Sequence, residues 1–119
     1  MSDPFRPVPQ SEGLNRREHD RRPLRVAVTV LIGEQTFEFR SLDISESGMA
    51  ISAAANPRVG TQFRIAFALP RRSQGYTEIS SLVTVMGSVL SNSDDGFRIG
   101  LRFVSLSQAM RSAIVEFVK

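Results

Sequence analysis

The sequence lacks several residue types that define common classes of protein. It has no cysteine, which excludes a disulfide framework and a thiolate metal site. Its one histidine, His19, has no second histidine or cysteine with which to bind zinc. No Ser–His arrangement and no glycine-rich phosphate loop suggests catalysis, so we predict that the chain is not an enzyme and needs no cofactor.

Exposed aromatic residues and long apolar runs are also scarce. There is no tryptophan and one tyrosine, and the eight phenylalanines mostly fall on the apolar phase of predicted strands, which disfavours a single-stranded DNA- or RNA-binding barrel. No apolar run approaches the roughly 20 residues of a membrane helix, and the polar N-terminus does not resemble a signal peptide. We therefore expect a cytoplasmic protein with no membrane insertion and no nucleic acid polymer as its partner.

Arginine is unusually frequent, and its distribution is uneven. The net charge is only +3, but all basic residues except Lys119 are arginines, and five of them fall within residues 16–25. Arginine presents a planar fork of donors that suits phosphates and guanine edges. Residues 1–15, which hold three of the six prolines, are predicted to form a flexible tail, and 16–119 to form one folded domain.

Apolar residues alternate with polar ones over most of the folded part, which indicates half-buried β-strands. The pattern predicts an all-β fold, a six-stranded antiparallel β-barrel of the split-barrel type, because closure removes exposed edges. The predicted strands begin at Leu24, Phe37, Met49, Phe63, Ile79 and Phe97. The i, i+4, i+7 spacing of Met110, Ile114 and Phe117 predicts a C-terminal helix over about 106–118, with a Ser105–Gln108 capping box.

The junction between the second and third strands carries a compact polar cluster. In an extended chain Asp43 and Ser45 share one face, and Ile44 occupies the other. Ile44 suits the core, so we expect the carboxylate and the hydroxyl to face solvent. Gly48 then provides either a positive φ for the turn or room for a ligand.

Two motifs in this arrangement resemble those of the PilZ domain family. Arg17-x-x-x-Arg21 before the first strand is similar to the family's RxxxR motif, and Asp43-x-Ser45-x-x-Gly48 is similar to its (D/N)xSxxG motif. The segment Gly100–Phe103 resembles a later glycine-hydrophobic-x-Phe segment of the family. The resemblance covers roughly residues 16–118.

The resemblance implies a receptor for cyclic di-GMP that reorders its N-terminal segment on binding and signals to an effector protein. It implies ligand contacts from the residues of both motifs, and it associates an arginine at position 16 with stacking in an intercalated ligand dimer. We therefore predict two ligand molecules per site. The predicted ligand-binding residues are Arg16, Arg17, Arg21, Asp43, Ser45 and Gly48, with Arg98 and Gly100 as secondary candidates.

Simpler interpretations stand beside these. The arginine cluster is equally typical of a solvated charged tail, and Asp43 and Ser45 are common turn residues. We expect Arg98 and Arg102 to be exposed on the sixth strand, Gly100 to serve packing first, and the loop arginines 71 and 72 to be solvated. The alternative function is a ligand-independent protein-interaction adaptor of the same fold.

Overall fold

A computed structural model of the chain describes residues 20–91 and 96–119. Within these ranges the chain forms seven β-strands followed by one α-helix. The elements are β1 (Arg21–Pro23), β2 (Ala27–Ile32), β3 (Gln35–Ser45), β4 (Gly48–Ala53), β5 (Gln62–Pro70), β6 (Tyr76–Ser91), β7 (Gly96–Phe103) and α1 (Gln108–Val118). Residues 92–95, at the centre of the predicted 91–96 turn, lie outside the described residues.

Six of the strands close into an antiparallel barrel. Around the sheet the neighbours are β3, β2, β5, β6, β7 and β4, and β4 pairs again with β3. This closure confirms the predicted barrel and leaves each of the six strands with a partner on both sides. β1 is an additional strand that was not predicted, and it pairs antiparallel with the end of β3, where Arg21 lies opposite Ser45.

The first predicted strand, which was expected to run unbroken from Leu24 to Ile32, is wrong in that form. β2 begins only at Ala27, and residues 24–26, between it and the unpredicted β1, lie outside the regular ladder. The buried Ser41 hydroxyl bridges this break, because it accepts a bond from the Val26 amide at 2.9 Å and donates to the Leu24 carbonyl. The Leu24 amide donates to the Leu42 carbonyl at 3.1 Å. A side chain thus replaces part of the backbone ladder.

The barrel interior is filled by aliphatic and aromatic side chains on the inward phase of the strands, as the alternation predicted. Ile44 is fully buried, which confirms its assignment to the core. Phe37 departs from the prediction that the strand phenylalanines are core residues, because it is 40% exposed near the tip of the β2–β3 hairpin and stacks on Phe39. The largest fully buried side chains are Ile44, Met49, Ile51, Ile65, Leu69, Ile79, Ile99, Ile114, Val28, Val30, Val83 and Val85.

The C-terminal helix packs against β1, β3, β5 and β6 and buries Ala113 and Ile114 in the core. The predicted capping box is wrong. The N-cap is Ser107, whose hydroxyl accepts a bond from the Met110 amide at 3.1 Å, whereas the Ser105 hydroxyl accepts from the Leu82 amide. A cap two residues later places the first helical residue at Gln108.

The loop arginines are bound to the end of α1, which corrects the expectation that they are merely solvated. Arg71 forms an ion pair with Glu116 at 3.2 Å, and Arg72 donates to the carbonyls of Glu116 and Lys119. The last carbonyls of a helix have no partner within it, and this end carries partial negative charge. The two arginines therefore satisfy the helix terminus and attach it to the β5–β6 loop.

We predict that Ser41→Ala lowers the free energy of unfolding by about 1–3 kcal/mol, because it leaves the part-buried Val26 amide and the buried Leu24 carbonyl without the Ser41 hydroxyl as their partner. Urea unfolding followed by circular dichroism measures this change. Ser73→Ala, in the exposed β5–β6 loop, is the matched control and is expected to change stability by less than about 0.5 kcal/mol. Equal stability of the two variants would contradict the assigned role of Ser41.

Candidate functional site

One carboxylate joins three strands on the outside of the barrel. Asp43, near the end of β3, accepts from Arg21 of β1, with 2.6 Å between Nη1 and Oδ1, and its other oxygen accepts from Arg98 of β7. The Asp43 side chain is 16% exposed, whereas both arginine side chains are 44% exposed. The carboxylate is thus held from both sides while the cations stay accessible.

A register shift in β3 sets the position of this carboxylate. Between Ser41 and Asp43 the pairing with β4 slips by one residue. Both Ser41 and Leu42 are consequently buried, and Ile44 returns to the core after Asp43. A bulge of this kind bends the strand and re-aims the side chains beside it.

An open, positively charged depression surrounds the Asp43 cluster. Its volume is about 370 Å³, which lies within the range of roughly 300–1,000 Å³ for small-molecule sites. Arginines outnumber the single carboxylate in its wall, so the surface favours an anionic ligand. The lining residues are Arg21, Arg22, Pro23, Arg25, Leu42, Asp43 and Arg98.

A second depression of about 150 Å³ shares Arg21 with the first. Arg21 therefore stands between the two, and both belong to one surface. The wall of the second depression contains two arginines, one serine, two glycines and two apolar residues. Its lining residues are Arg21, Ser47, Gly48, Met86, Gly100, Leu101 and Arg102.

Ser45 does not face solvent, which corrects the sequence-based expectation. It is 2% exposed, and its hydroxyl lies 3.3 Å from both the amide and the carbonyl of Gly48 and 3.2 Å from the Ser47 hydroxyl. The chain turns back immediately after Ser45, so the short polar side chain is used to hold the turn. In the described structure Ser45 shapes the second motif and lines neither depression.

The two glycines of the predicted site differ in what their missing side chains allow. A Cβ on Gly48 would lie 2.0 Å from the Leu101 carbonyl oxygen, so β4 and β7 approach each other too closely for any side chain there. Its φ lies outside the left-handed region, so this close approach, and not the turn, requires glycine. A Cβ on Gly100 would meet nothing nearer than the Gly87 carbonyl at 4.0 Å. The space above Gly100 is open.

We predict that Gly48→Ala lowers the melting temperature by several degrees or prevents folding, because the new methyl group overlaps a backbone oxygen. Gly100→Ala is the matched substitution and is expected to retain or slightly raise stability, because glycine is unfavourable in a strand interior. Thermal unfolding of both variants measures the difference. A Gly48→Ala protein as stable as Gly100→Ala would contradict the close approach of β4 and β7.

The structure thus brings together five of the predicted site residues: Arg21, Asp43, Gly48, Arg98 and Gly100. Arg16 and Arg17 lie outside the described residues. Arg98 is exposed as expected, but it also pairs with the motif carboxylate, which the sequence did not indicate.

Sequence reasoning did not select several residues that line the two depressions, among them Arg22 and Met86. Arg22 lies in the wall of the first depression and also contacts α1. Its position after Arg21 in a short strand was the available signal. Met86 lies in the second depression at a bulge of β6. The available signal was Gly87, because an isolated glycine inside a strand pattern often marks a bulge.

Neither a metal-binding cluster nor a membrane-spanning helix is found in the part of the chain that the structure describes. Residues 20–91 and 96–119 hold no group of three or more histidine, cysteine or acidic side chains placed to bind a metal ion. In the same ranges, no helix has the length and apolar character needed to cross a membrane.

The fold and the site define a closed six-stranded barrel with one additional strand, a C-terminal helix and an arginine-flanked carboxylate on its outer surface. A family model, the PilZ domain, matches residues 15–119. The chain therefore belongs to the PilZ domain family. No curated protein matches the sequence.

Solved structures with the same fold are distant in sequence. The inhibitor of motility MotI/DgrA of Bacillus subtilis superimposes with a TM-score of 0.78 at 18% identity, covering 88% of this chain and 50% of that one. The PilZ domain of Escherichia coli YcgR, solved with c-di-GMP, gives 0.63 at 17% identity over 87% and 89%. Borreliella burgdorferi PlzA, in complex with c-di-GMP, gives 0.57 at 12% over 88% and 42%. The chain spans only half the length of the Bacillus protein.

Proposed function

We propose that this chain is a receptor for cyclic di-GMP and that the surface around Asp43 is its binding site. The observation that carries the proposal is the Asp43 carboxylate held between Arg21 and Arg98 on an open, arginine-rich surface of a PilZ barrel. Two of its structural neighbours were solved with this ligand. The proposal describes a binding protein that acts in the cytoplasm without catalysing a reaction.

The chemistry of the cluster suits both parts of the ligand. Cyclic di-GMP contains two guanines and two phosphates in one ring. A carboxylate accepts hydrogen bonds from the guanine N1–H and N2–H₂ edge, and an arginine makes a bidentate contact with guanine O6 and N7 or with a phosphate. Asp43 and its two arginines supply both kinds of partner within one cluster.

Binding at this site exchanges one set of charge-assisted bonds for another. In the structure Asp43 already accepts from Arg21 and Arg98. We infer that a guanine edge takes over part of the carboxylate, which frees an arginine fork for a phosphate. Ion pairs made by exposed arginines contribute only about 0–1 kcal/mol each. Giving up one of them therefore costs little binding free energy.

The N-terminal arginines supply the remaining contacts in this proposal. Arg16 and Arg17 precede β1, which begins at Arg21 beside Asp43. When they close over the ligand, ordering the backbone costs about 1–2 kcal/mol per residue, which charge-assisted contacts must exceed. This reordering is the proposed signal to an effector protein.

β1 also provides a route from the ligand to the helix. Arg21 points to Asp43, while the next residue, Arg22, lies over the Phe117 ring at 4.6 Å from its centroid and donates to the Phe117 carbonyl at 2.6 Å. A three-residue strand therefore touches the site with one residue and the end of α1 with the next. We propose that displacement of β1 on binding alters this helix end and presents a changed surface to the effector.

Calorimetric titration with cyclic di-GMP tests the receptor proposal. The wild type is expected to bind in the micromolar range or tighter, and Arg21→Ala and Asp43→Ala to weaken binding about ten- to a hundred-fold, because each removes a charged hydrogen-bond partner. The matched controls are Arg64→Ala on β5 and Glu38→Ala on β3, which make the same charge changes at residues that line neither depression.

Three outcomes would contradict the receptor proposal. The first is a wild-type protein that gives no heat and no shift in melting temperature with the ligand. The second is a loss of affinity in Arg64→Ala equal to that in Arg21→Ala, which would indicate attraction by overall charge. The third is unchanged binding in both site variants. An unliganded wild type would favour the protein-interaction adaptor.

Hydrogen–deuterium exchange tests the N-terminal proposal. Amides of residues 1–20, which precede β1, are expected to gain protection when cyclic di-GMP is added, because closure over the ligand gives them bonding partners. Arg21 and Arg22 already pair with β3. The calorimetric titration with cyclic di-GMP tests the predicted ligand dimer. It is expected to saturate at two ligands per chain for the wild type and at one for Arg16→Ala. Unchanged N-terminal exchange in the saturated protein would contradict the reordering, and wild-type saturation at one ligand would contradict the dimer.

A further inference from the structure

Met86 occupies an unusual place beside the candidate site. The pairing of β6 with β7 shifts between Val85, which lies opposite Leu101, and Gly87, which lies opposite Gly100. Met86 is the extra residue of this bulge, and it is 50% exposed. Bulges bend a strand and re-aim a side chain, and they are frequent beside functional sites. The bulge directs an apolar side chain to the rim of the arginine-bearing second depression.

Two glycines next to Met86 leave the surface there without side chains, although neither packing nor backbone conformation requires glycine at these positions. Gly87 and Gly100 lie opposite each other on β6 and β7. A Cβ on Gly87 would meet nothing within 4 Å, one on Gly100 would meet only a carbonyl at 4.0 Å, and neither residue has a positive φ. Packing and backbone conformation would therefore accept alanine at both positions, and glycine leaves the surface beside Met86 without side chains.

A flat floor with one flexible apolar side chain at its rim fits the face of an aromatic ring. Methionine is unbranched and polarisable, and its sulfur makes favourable contacts with aromatic rings. Arg21 and Arg102 line the same depression, so an aromatic group seated there lies within reach of cations that suit an attached phosphate. A purine base on a phosphate-bearing ring meets both requirements.

We propose that Met86 is an affinity-determining residue that packs on a guanine of the bound ligand above the Gly87–Gly100 surface. This inference rests on the proposed receptor function and deepens it. Met86 makes no hydrogen bond to the base edge, so it contributes to affinity without selecting the base. The selection of guanine remains with Asp43 and the arginines.

Titration of three variants with cyclic di-GMP tests the role of Met86. Met86→Ala is expected to weaken binding about three- to tenfold, because it removes the apolar side chain that packs on the ring, while Met86→Leu, which preserves apolar volume, is expected to stay within about twofold of the wild type. Leu31→Ala is the matched control, because it truncates an exposed apolar residue on β2, a strand that lines neither depression. All three variants are expected to keep the wild-type melting temperature.

Oxidation provides a second readout that a purely structural role would not change. Mild hydrogen peroxide converts exposed methionine to its sulfoxide, which mass spectrometry quantifies for each residue. Saturation with cyclic di-GMP is expected to slow the oxidation of Met86 at least threefold and to leave Met110, on the helix, unchanged. Met49 is buried and serves as the slow reference.

The Met86 proposal and the receptor proposal can fail separately. A wild-type protein that does not bind cyclic di-GMP contradicts both. A wild type that binds and loses affinity in Arg21→Ala, together with a Met86→Ala variant that binds within twofold of the wild type and no protection of Met86, overturns the Met86 proposal alone. If Met86→Ala lowers the melting temperature, the protection of the wild-type residue decides the question.

Discussion

The change of partners along β3 is the constraint on which the barrel and the site both depend. The first half of this strand pairs with β2, and its second half pairs with β4 and β1. The barrel closes at this change, because β2 and β4 are the ends of the remaining ladder. The change occurs at Arg40, which lies opposite both Ala27 of β2 and Ser52 of β4. The next residue, Ser41, bonds through its hydroxyl to residues 24 and 26 in the segment between β1 and β2. Asp43 follows Ser41 after the register shift that contains Leu42. Barrel closure therefore also fixes the position of the carboxylate.

Under the proposed function, the Asp43 cluster serves ligand recognition more than stability. Ion pairs with arginines that are 44% exposed contribute little to the free energy of unfolding. They do hold two planar forks at a defined spacing around one carboxylate, on strands that the barrel keeps rigid. Such preorganisation reduces the entropy lost on binding. The same strand that carries Arg21 also carries Arg22 to the end of α1, which places a second element within reach of the ligand's effect.

Much of the fold was predictable from the sequence, because a period of two and a terminal period near 3.6 record which side chains face the core. Ile44 is buried as predicted, and the motifs around Arg21 and Asp43 do meet in space. The errors lie where the chain leaves its regular period. Ser45 faces inward because of the turn that follows it, and Met86 projects at a bulge where the pairing of β6 with the next strand, β7, shifts its register. The pairing of Arg98 with Asp43 likewise depends on β3 and β7 lying on either side of β4, which a local sequence pattern does not encode.

The most direct test of this account is an NMR titration of the isotope-labelled protein with cyclic di-GMP, followed through its backbone amides. The largest shifts are expected on β1, on β3 from Asp43 onward, on the β6 bulge at Met86 and on β7 around Gly100, with smaller changes at the end of α1. Shifts centred instead on the apolar depression between β2 and β5, lined by Leu31 and Ile65, would contradict the assignment of the site. A spectrum unchanged at saturating ligand would contradict the receptor function itself.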